Sequence, residues 1–149
     1  MKIAVAADHA GWADKEWLVG HLRAAGHDVR DFGTHSDAAC DYPDFAARAA
    51  AAVGRAECDQ GVLVCGTGIG MSMAANKIHG VRAAACQSAE AARYSRQHND
   101  ANVLCLGARL SSREAMQEIL TVWLATTFEG GRHARRVGKI NALDEGRSV

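Results

Sequence analysis

Short apolar runs recur along this chain, each followed by a longer stretch with helical spacing, and this alternation limits the folds open to it. The strand-like runs are Lys2–Ala7, Asp28–Phe32, Gly61–Cys65, Val81–Cys86 and Asn102–Leu106. Runs of four to six residues, several rich in valine, suit strands buried on both faces. Between them the sequence predicts helices over Trp12–Ala25, Tyr42–Arg55, Gly70–Lys77, Ser88–Gln97 and Ser111–Thr127. In the first, Trp17, Leu18 and Leu22 share a face and Gly26 supplies a stop. Ser88 and Ser111 are expected to cap their helices, with Glu114 completing a capping box with Ser111. Repeated β-α units predict one parallel sheet with helices on both faces. Ligands of such sheets bind beyond the carboxyl ends of the strands. The informative segments are therefore those that follow each strand. Residues 128–149 break the alternation and read as a turn, Glu129-Gly130-Gly131, and a short basic helix.

Length and composition narrow the class further. The chain has 149 residues, which suits a single domain spanning 1–149. Its formal net charge is zero with histidines neutral, which argues against a general nucleic-acid binder. No segment resembles a signal peptide or a membrane span, so a cytoplasmic protein without a membrane partner is expected. Five cysteines, Cys40, Cys58, Cys65, Cys86 and Cys105, form no close pair and fit free thiols in a reducing compartment. Neither C-x-x-C nor H-E-x-x-H occurs, so no dedicated zinc site is expected.

Four segments carry groups able to do chemistry. The first is Cys65-Gly66-Thr67-Gly68-Ile69-Gly70. A strand ends there, three glycines follow at alternate positions, and a helix begins. Backbone N–H groups of such a loop can converge on an anion. The lysine of a P-loop is missing, and Met71 stands where a dinucleotide fingerprint needs its last glycine. The loop therefore reads as an anion cradle or as a tight strand-to-helix turn. Cys65 beside it is either a thiolate for base or nucleophile work or a buried inert thiol.

The second segment, Asp8-His9, directly follows the first strand, facing the crevice or capping the next helix. The third is Ser95 to Asp100, where His98 near a helix C-terminus is biased toward its protonated form or is a plain loop histidine. The fourth is basic. Arg109 follows the fifth strand, and Arg132, Arg136 and Lys139 recur at helical spacing. Arginine forks suit a phosphate, and a solvated charged helix is the alternative.

Taken in order, several segments resemble the ribose-5-phosphate isomerase B family, which also includes galactose-6-phosphate and allose-6-phosphate isomerases. They are Ala7-Asp8-His9-Ala10-Gly11, Asp41-Tyr42-Pro43, Cys65 to Gly70, Ala74-Ala75-Asn76-Lys77, Ser95 to Leu104, and Glu129-Gly130-Gly131-Arg132-His133. The resemblance runs from Lys2 to about Asn141. It implies a three-layer α/β/α sandwich with a five-stranded parallel Rossmann-like sheet and a C-terminal helical extension that reaches the partner of a homodimer. Pairing of dimers into tetramers is left open.

The resemblance also implies roles. Cys65 is the base that moves the proton between C2 and C1, and His98 opens the sugar ring. Thr67 relays protons between O1 and O2. The backbone of Gly66, Gly68, Ile69 and Gly70 stabilises the enediolate, and Asp8, His9 and Asn99 hold the sugar phosphate. Arg109 of one chain and Arg132 and Arg136 of its partner take the phosphate. A related branch of the family places a glutamate base where Met71 stands here, so this chain resembles the cysteine branch. Neither metal nor cofactor is expected, because the substrate carbonyl itself acidifies the C2 proton. A six-carbon sugar phosphate is an alternative substrate. A non-catalytic binding module on the same sheet is an alternative class, and a thiol redox protein lacks the paired cysteines.

Overall fold

The computed structural model describes Met1–Val149. Eleven elements follow one another as β1 (Lys2–Ala7), α1 (Trp12–Ala24), β2 (Asp28–Asp31), α2 (Tyr42–Gly54), β3 (Gln60–Cys65), α3 (Ile69–Ala75), β4 (Ala83–Ala85), α4 (Ala89–Asn99), β5 (Val103–Gly107), α5 (Arg113–Ala125) and α6 (Arg132–Asp144). The five strands form one parallel sheet in the order β2-β1-β3-β5-β4. This is the expected three-layer α/β/α sandwich with a Rossmann-like sheet. None of the helices is long and apolar enough to cross a membrane.

Strand pleating sorts the core into two layers, because successive side chains point to opposite faces. Ile3, Val5, Val62, Val64, Leu104 and Leu106 pack toward α1, α4 and α5 with Leu18, Leu22, Met116, Ile119 and Trp123. Ala4, Ala6, Leu63, Cys65, Val103 and Cys105 point the other way, toward α2 and α3. There α2 offers Ala46, Ala49, Ala50 and Ala52, all without solvent exposure. Small residues on both sides let that helix approach the strands closely. Trp123 is fully buried, and its indole N–H donates to Gln60 Oε1 at 3.0 Å, as a buried indole requires.

Element ends differ from expectation in places with a physical cause. The first helix stops as predicted. Gly26, at φ +84°, follows the C-cap Ala25, and the N–H groups of Gly26 and His27 donate to Arg23 O and Leu22 O. This is a Schellman ending. The same ending closes α2, but Ala56 takes the left-handed position at φ +56°. Ser88 caps α4 by accepting from the Ala91 N–H. The cap of α5 is Ser112 and not Ser111. Its hydroxyl accepts from the Ala115 N–H, which leaves Glu114 two residues from the cap rather than three.

The fourth strand is also shorter than the apolar run Val81–Cys86 suggests. It is an edge strand, and side chains claim its approach: Arg82 N–H donates to Asn102 Oδ1 at 2.8 Å. The Asn76 amide brackets Ala83, accepting from its N–H at 2.8 Å and donating to its carbonyl at 2.9 Å.

The order of the strands matters for function. From β1 the chain moves outward to β2, then crosses back to β3 on the other side of β1. The loops after β1 and β3 therefore leave toward opposite faces and open a crevice between them, the usual ligand position in such sheets. Residues 8–11 and 66–70 lie at that crevice. The C-terminal helix α6 lies against its own chain's α4. His133, Val137 and Ala142 of α6 are buried, and Arg132, Arg135, Arg136 and Lys139 are exposed.

Candidate active site

The floor of the crevice is set by three close approaches of backbone that only glycine permits. A Cβ on Gly11 would stand 2.5 Å from Val64 O, and one on Gly107 would stand 2.8 Å from the carbonyl carbon and oxygen of Thr67. A Cβ on Gly68, at φ +76°, would stand 3.1 Å from the Leu106 carbonyl carbon and 3.2 Å from that of Cys105. The loop is thereby pressed onto the carboxyl ends of β3 and β5.

Cys65 ends β3 opposite Gly107. It is 4 % exposed, and the Gly68 N–H donates to its sulfur at 3.1 Å. Thr67 is half-buried, and its Oγ1 accepts from the Ile69 N–H at 3.3 Å. The first N–H groups of α3 have no partner within the helix, as at any helix start. Arg109 leans over the loop: its N–H donates to Gly66 O at 2.9 Å, and a Cβ on Gly66 would stand 3.3 Å from its guanidinium carbon. The Tyr42 ring covers Gly70 so closely that a Cβ there would stand 2.7 Å from it. The Tyr42 ring thus walls the loop at Gly70.

Asp8 is 6 % exposed. Its Oδ1 accepts from the N–H groups of Ala10 and Gly11, each at 3.0 Å. It therefore organises the turn that leads into α1 at the edge of the crevice. His9 is exposed, and its Nδ1 lies 3.3 Å from the Cys40 amide nitrogen and 3.2 Å from the Cys40 carbonyl oxygen. The loop between β2 and α2 thus sets the orientation of the imidazole. That loop is itself anchored from below. Lys15, with no solvent exposure, puts its ammonium 2.6 Å from Asp31 Oδ2 and 2.7 Å from Glu16 Oε1, and Asp31 Oδ1 accepts from the Gly33 N–H.

The other predicted residues gather elsewhere. His98 and Asn99 end α4 at the amino ends of β4 and β5, where Arg82 Nε donates to the carbonyls of Asn99 and Asp100. The His98 ring stacks on His133 of α6 at 4.3 Å between centroids and 6° between planes, with Tyr94 on its other side. Glu129 Oε2 lies 3.9 Å from His98 Nε2 and 3.7 Å from His133 Nε2. Burial, then the neighbouring His98 and Arg132, hold the His133 imidazole below the ordinary histidine range. Arg132 and Arg136 extend from the same helix into solvent. In β5 alone, Val103 to Gly107 accounts for about 13 Å of rise, and His98 lies before Val103 while Cys65 lies beside Gly107. One chain therefore holds two sets of groups at opposite ends of its sheet. Asp8, His9, residues 65–70 and Arg109 form one, and His98, Asn99, Arg132 and Arg136 form the other.

Burial pushes the thiols of Cys58, Cys86 and Cys105 upward, Cys105 most of all, as in inert core cysteines.

A thiol at the end of a central strand, with a backbone donor on its sulfur and a guanidinium over the adjoining loop, defines an α/β enzyme that handles an anionic substrate. Residues 3–140 match the Ribose/Galactose Isomerase family, and the chain belongs to it. It is 46 % identical over 147 residues to "Ribose-5-phosphate isomerase B" of Escherichia coli, an alignment covering 99 % of each chain. Among solved structures, ribose-5-phosphate isomerase B of Clostridium thermocellum superposes with a TM-score of 0.97 at 47 % identity, covering 98 % of this chain and 99 % of that one. The Mycoplasma genitalium enzyme with bound ribulose-5-phosphate superposes with a TM-score of 0.93 at 42 % identity, covering 97 % and 96 %.

Proposed function

We propose that this chain is a ribose-5-phosphate isomerase, interconverting ribose 5-phosphate and ribulose 5-phosphate, and that it works as a homodimer whose sites are each completed by two chains. The observation that carries the chemistry is the Cys65 sulfur held at the crevice under the Gly68 N–H. The substrate class rests on the ribose-5-phosphate isomerase relatives and on the ribulose-5-phosphate bound by the Mycoplasma genitalium protein.

The separation of the two residue sets supports the shared site. A ring-opening acid cannot serve a base at the far end of the same sheet. The basic face of α6, exposed on its own chain, suits a second chain's crevice. In this reading the partner subunit supplies its copies of His98, Asn99, Arg132 and Arg136 to the crevice holding Cys65, which gives the 128–149 extension its purpose. Dimers need not pair further for this chemistry.

The steps follow from what the reaction requires. Arg109 and the two arginines from α6 neutralise the phosphate, with His9 beside them, through charge-assisted forked bonds. His98 protonates the ring oxygen while the anomeric hydroxyl gives up its proton to water, and the sugar opens to its aldehyde. The Cys65 thiolate takes the proton from C2 and returns it to C1. Thr67 carries the O2 proton to O1, so the aldose carbonyl at C1 becomes a hydroxyl and the ketone appears at C2. The enediolate between these steps carries its charge on oxygen, where N–H groups of Gly66–Gly70 stabilise it as an oxyanion hole does. Asp8 and Asn99 fix the sugar hydroxyls. Met71 has no acceptor for the C2 proton, which leaves that role with Cys65.

Mixing two inactive variants tests this. In a heterodimer of Cys65→Ala and His98→Asn chains, one site loses both groups and the other keeps both. Random exchange of chains then restores roughly a quarter of wild-type turnover, since half of the dimers are mixed and half of their sites are intact. Ribose 5-phosphate is the assayed substrate, with allose 6-phosphate and galactose 6-phosphate alongside. No recovery on mixing, with both variants folded and exchanging, overturns the shared site. Absence of pentose turnover with rapid hexose turnover overturns the substrate.

A further inference from the structure

Arg82 belongs to neither set of site residues, and no step of the proposed chemistry uses it. It immediately precedes β4, at the amino end of the sheet. Its side chain is 17 % exposed, and the hydrogen bonds of its guanidinium all run to the segments that carry the second set. Nε donates to the carbonyls of Asn99 and Asp100 at 3.2 and 3.0 Å, and Nη2 donates to Asp100 Oδ2 at 3.1 Å. Nη1 donates to Asn141 Oδ1 of α6 at 3.2 Å.

We propose that Arg82 is a positioning residue that locks the end of α4 to α6, so that His98, Asn99, Arg132 and Arg136 reach the partner's crevice as one rigid unit. The last carbonyls of a helix have no partner within it, and a cation there also meets the negative end of the helix dipole. Arg82 supplies both from a different element. The chain leaves α4 through Asp100 at φ +45°, a left-handed backbone that a residue with a side chain adopts only against steric resistance. The Asp100 carboxylate is gripped from two sides, by Arg82 on Oδ2 and by Arg96 Nη1 on Oδ1 at 3.4 Å. Arg96 is itself fixed, donating to the carbonyls of Ala101 and Thr126 and lying over the buried Trp123 ring. The turn directly after His98 and Asn99 is thus held in place.

The tie to α6 completes the lock. Near its start α6 meets α4 through the stacked His133 and His98 rings. Near its end Asp144 Oδ2 accepts from the Gly80 N–H at 2.6 Å, and one turn earlier Asn141 takes the Arg82 guanidinium. Only a planar fork serves two carbonyls, a carboxylate and a carboxamide together; the single ammonium of a lysine cannot. Loosening Arg82 therefore harms the groups a chain lends to its partner and spares the crevice it keeps. That asymmetry rests on the shared site proposed above. The lock itself does not.

The test uses full-length Arg82→Lys. Its kcat/KM on ribose 5-phosphate is expected to fall about tenfold, because misplacing such groups by 1 Å costs up to about a hundredfold. The variant is then mixed, with exchange of chains, with Cys65→Ala or with His98→Asn. In the first mixture the mixed dimers pair its sound Cys65 with a sound lent set, and about a quarter of wild-type turnover returns. In the second, the only sites with a histidine borrow it from the Arg82→Lys chain, and turnover stays near a twentieth, about half that of the variant alone. Hydrogen exchange reads the lock without activity: the Asp100 and Ala101 amides, which donate to Arg96 O and Ser95 O, should exchange about tenfold faster in the variant, with Val62–Val64 unchanged. Wild-type kcat/KM in folded Arg82→Lys overturns the proposal, and so does equal recovery in the two mixtures. Unchanged exchange at Asp100 and Ala101 overturns the lock itself. Should Cys65→Ala and His98→Asn fail to complement each other, the shared site falls and the exchange measurement still decides the lock. Should Arg82→Lys not fold, Asn141→Ala cuts only the tie to α6 and is expected to raise KM about threefold, the worth of one hydrogen bond, with a smaller change in kcat; an unchanged KM overturns the tie.

Discussion

Gly107→Ala is the most searching single substitution this structure suggests. The residue ends β5 opposite Cys65, and a Cβ there would stand 2.8 Å from the carbonyl carbon and oxygen of Thr67 and 2.9 Å from its α-carbon. All three atoms are backbone, so no side chain can rotate away. Restoring ordinary contact means moving the glycine loop from 2.8 Å to at least 3.4 Å. Overpacking of this kind costs about 1–3 kcal/mol of stability. The moving segment also carries the Gly68 N–H that meets the Cys65 sulfur. A displacement approaching 1 Å at a reacting group costs up to about a hundredfold in rate, so a loss of roughly tenfold or more in kcat/KM is expected. Gly20→Ala is the matched control: it lies in α1, with nothing within 4 Å of its added Cβ, and should stabilise by about 0.5–1 kcal/mol through helix propensity. Urea denaturation and kcat/KM on ribose 5-phosphate, measured on both variants, decide the matter. Wild-type stability and turnover in Gly107→Ala would refute the claim that this approach positions the loop.

Cys65→Ala should abolish turnover while circular dichroism and the unfolding midpoint stay near wild type; near-normal activity in a folded protein would remove the base assignment. Arg136→Ala should raise KM about tenfold or more, the value of one or two charge-assisted bonds, with a smaller change in kcat, and an unchanged KM would count against its phosphate role. Ala56→Gly should stabilise by about 1 kcal/mol, because a left-handed alanine at an exposed helix end carries roughly that strain; thermal or urea unfolding reads it, and a loss of stability would show that the position is unstrained.

The central strands were legible because burial on both faces leaves a plain mark: Ile3–Ala7 and Val62–Cys65 are apolar at every position. The edge strand was less so, since Val81–Cys86 is interrupted by Arg82 and its start is taken up by the amides of Asn76 and Asn102. Asp8, Cys65 and Arg109 lie near one another because each stands at or just after the end of a strand and the topology does the rest. His98 could not be placed that way. It precedes a strand, and only the three-dimensional path of α4 puts it at the opposite end of the sheet from Cys65. Lys15 left no signal, for a lysine at the start of a helix is ordinarily solvated, and its partner Asp31 comes from a different element. The Tyr42 ring against Gly70 was likewise invisible, as it joins residues from α2 and α3.

The Asn76 side chain has a significance beyond its own hydrogen bonds. An open sheet edge offers unpaired N–H and C=O groups to any passing strand and so invites chains to polymerise. By engaging both groups of Ala83, one carboxamide imitates a sixth strand one residue long. It fills the place where a foreign strand would begin to zip up. Its value to the protein is then measured in solubility at high concentration more than in free energy of folding, and it would be felt most during synthesis, when many partly folded copies share a small volume.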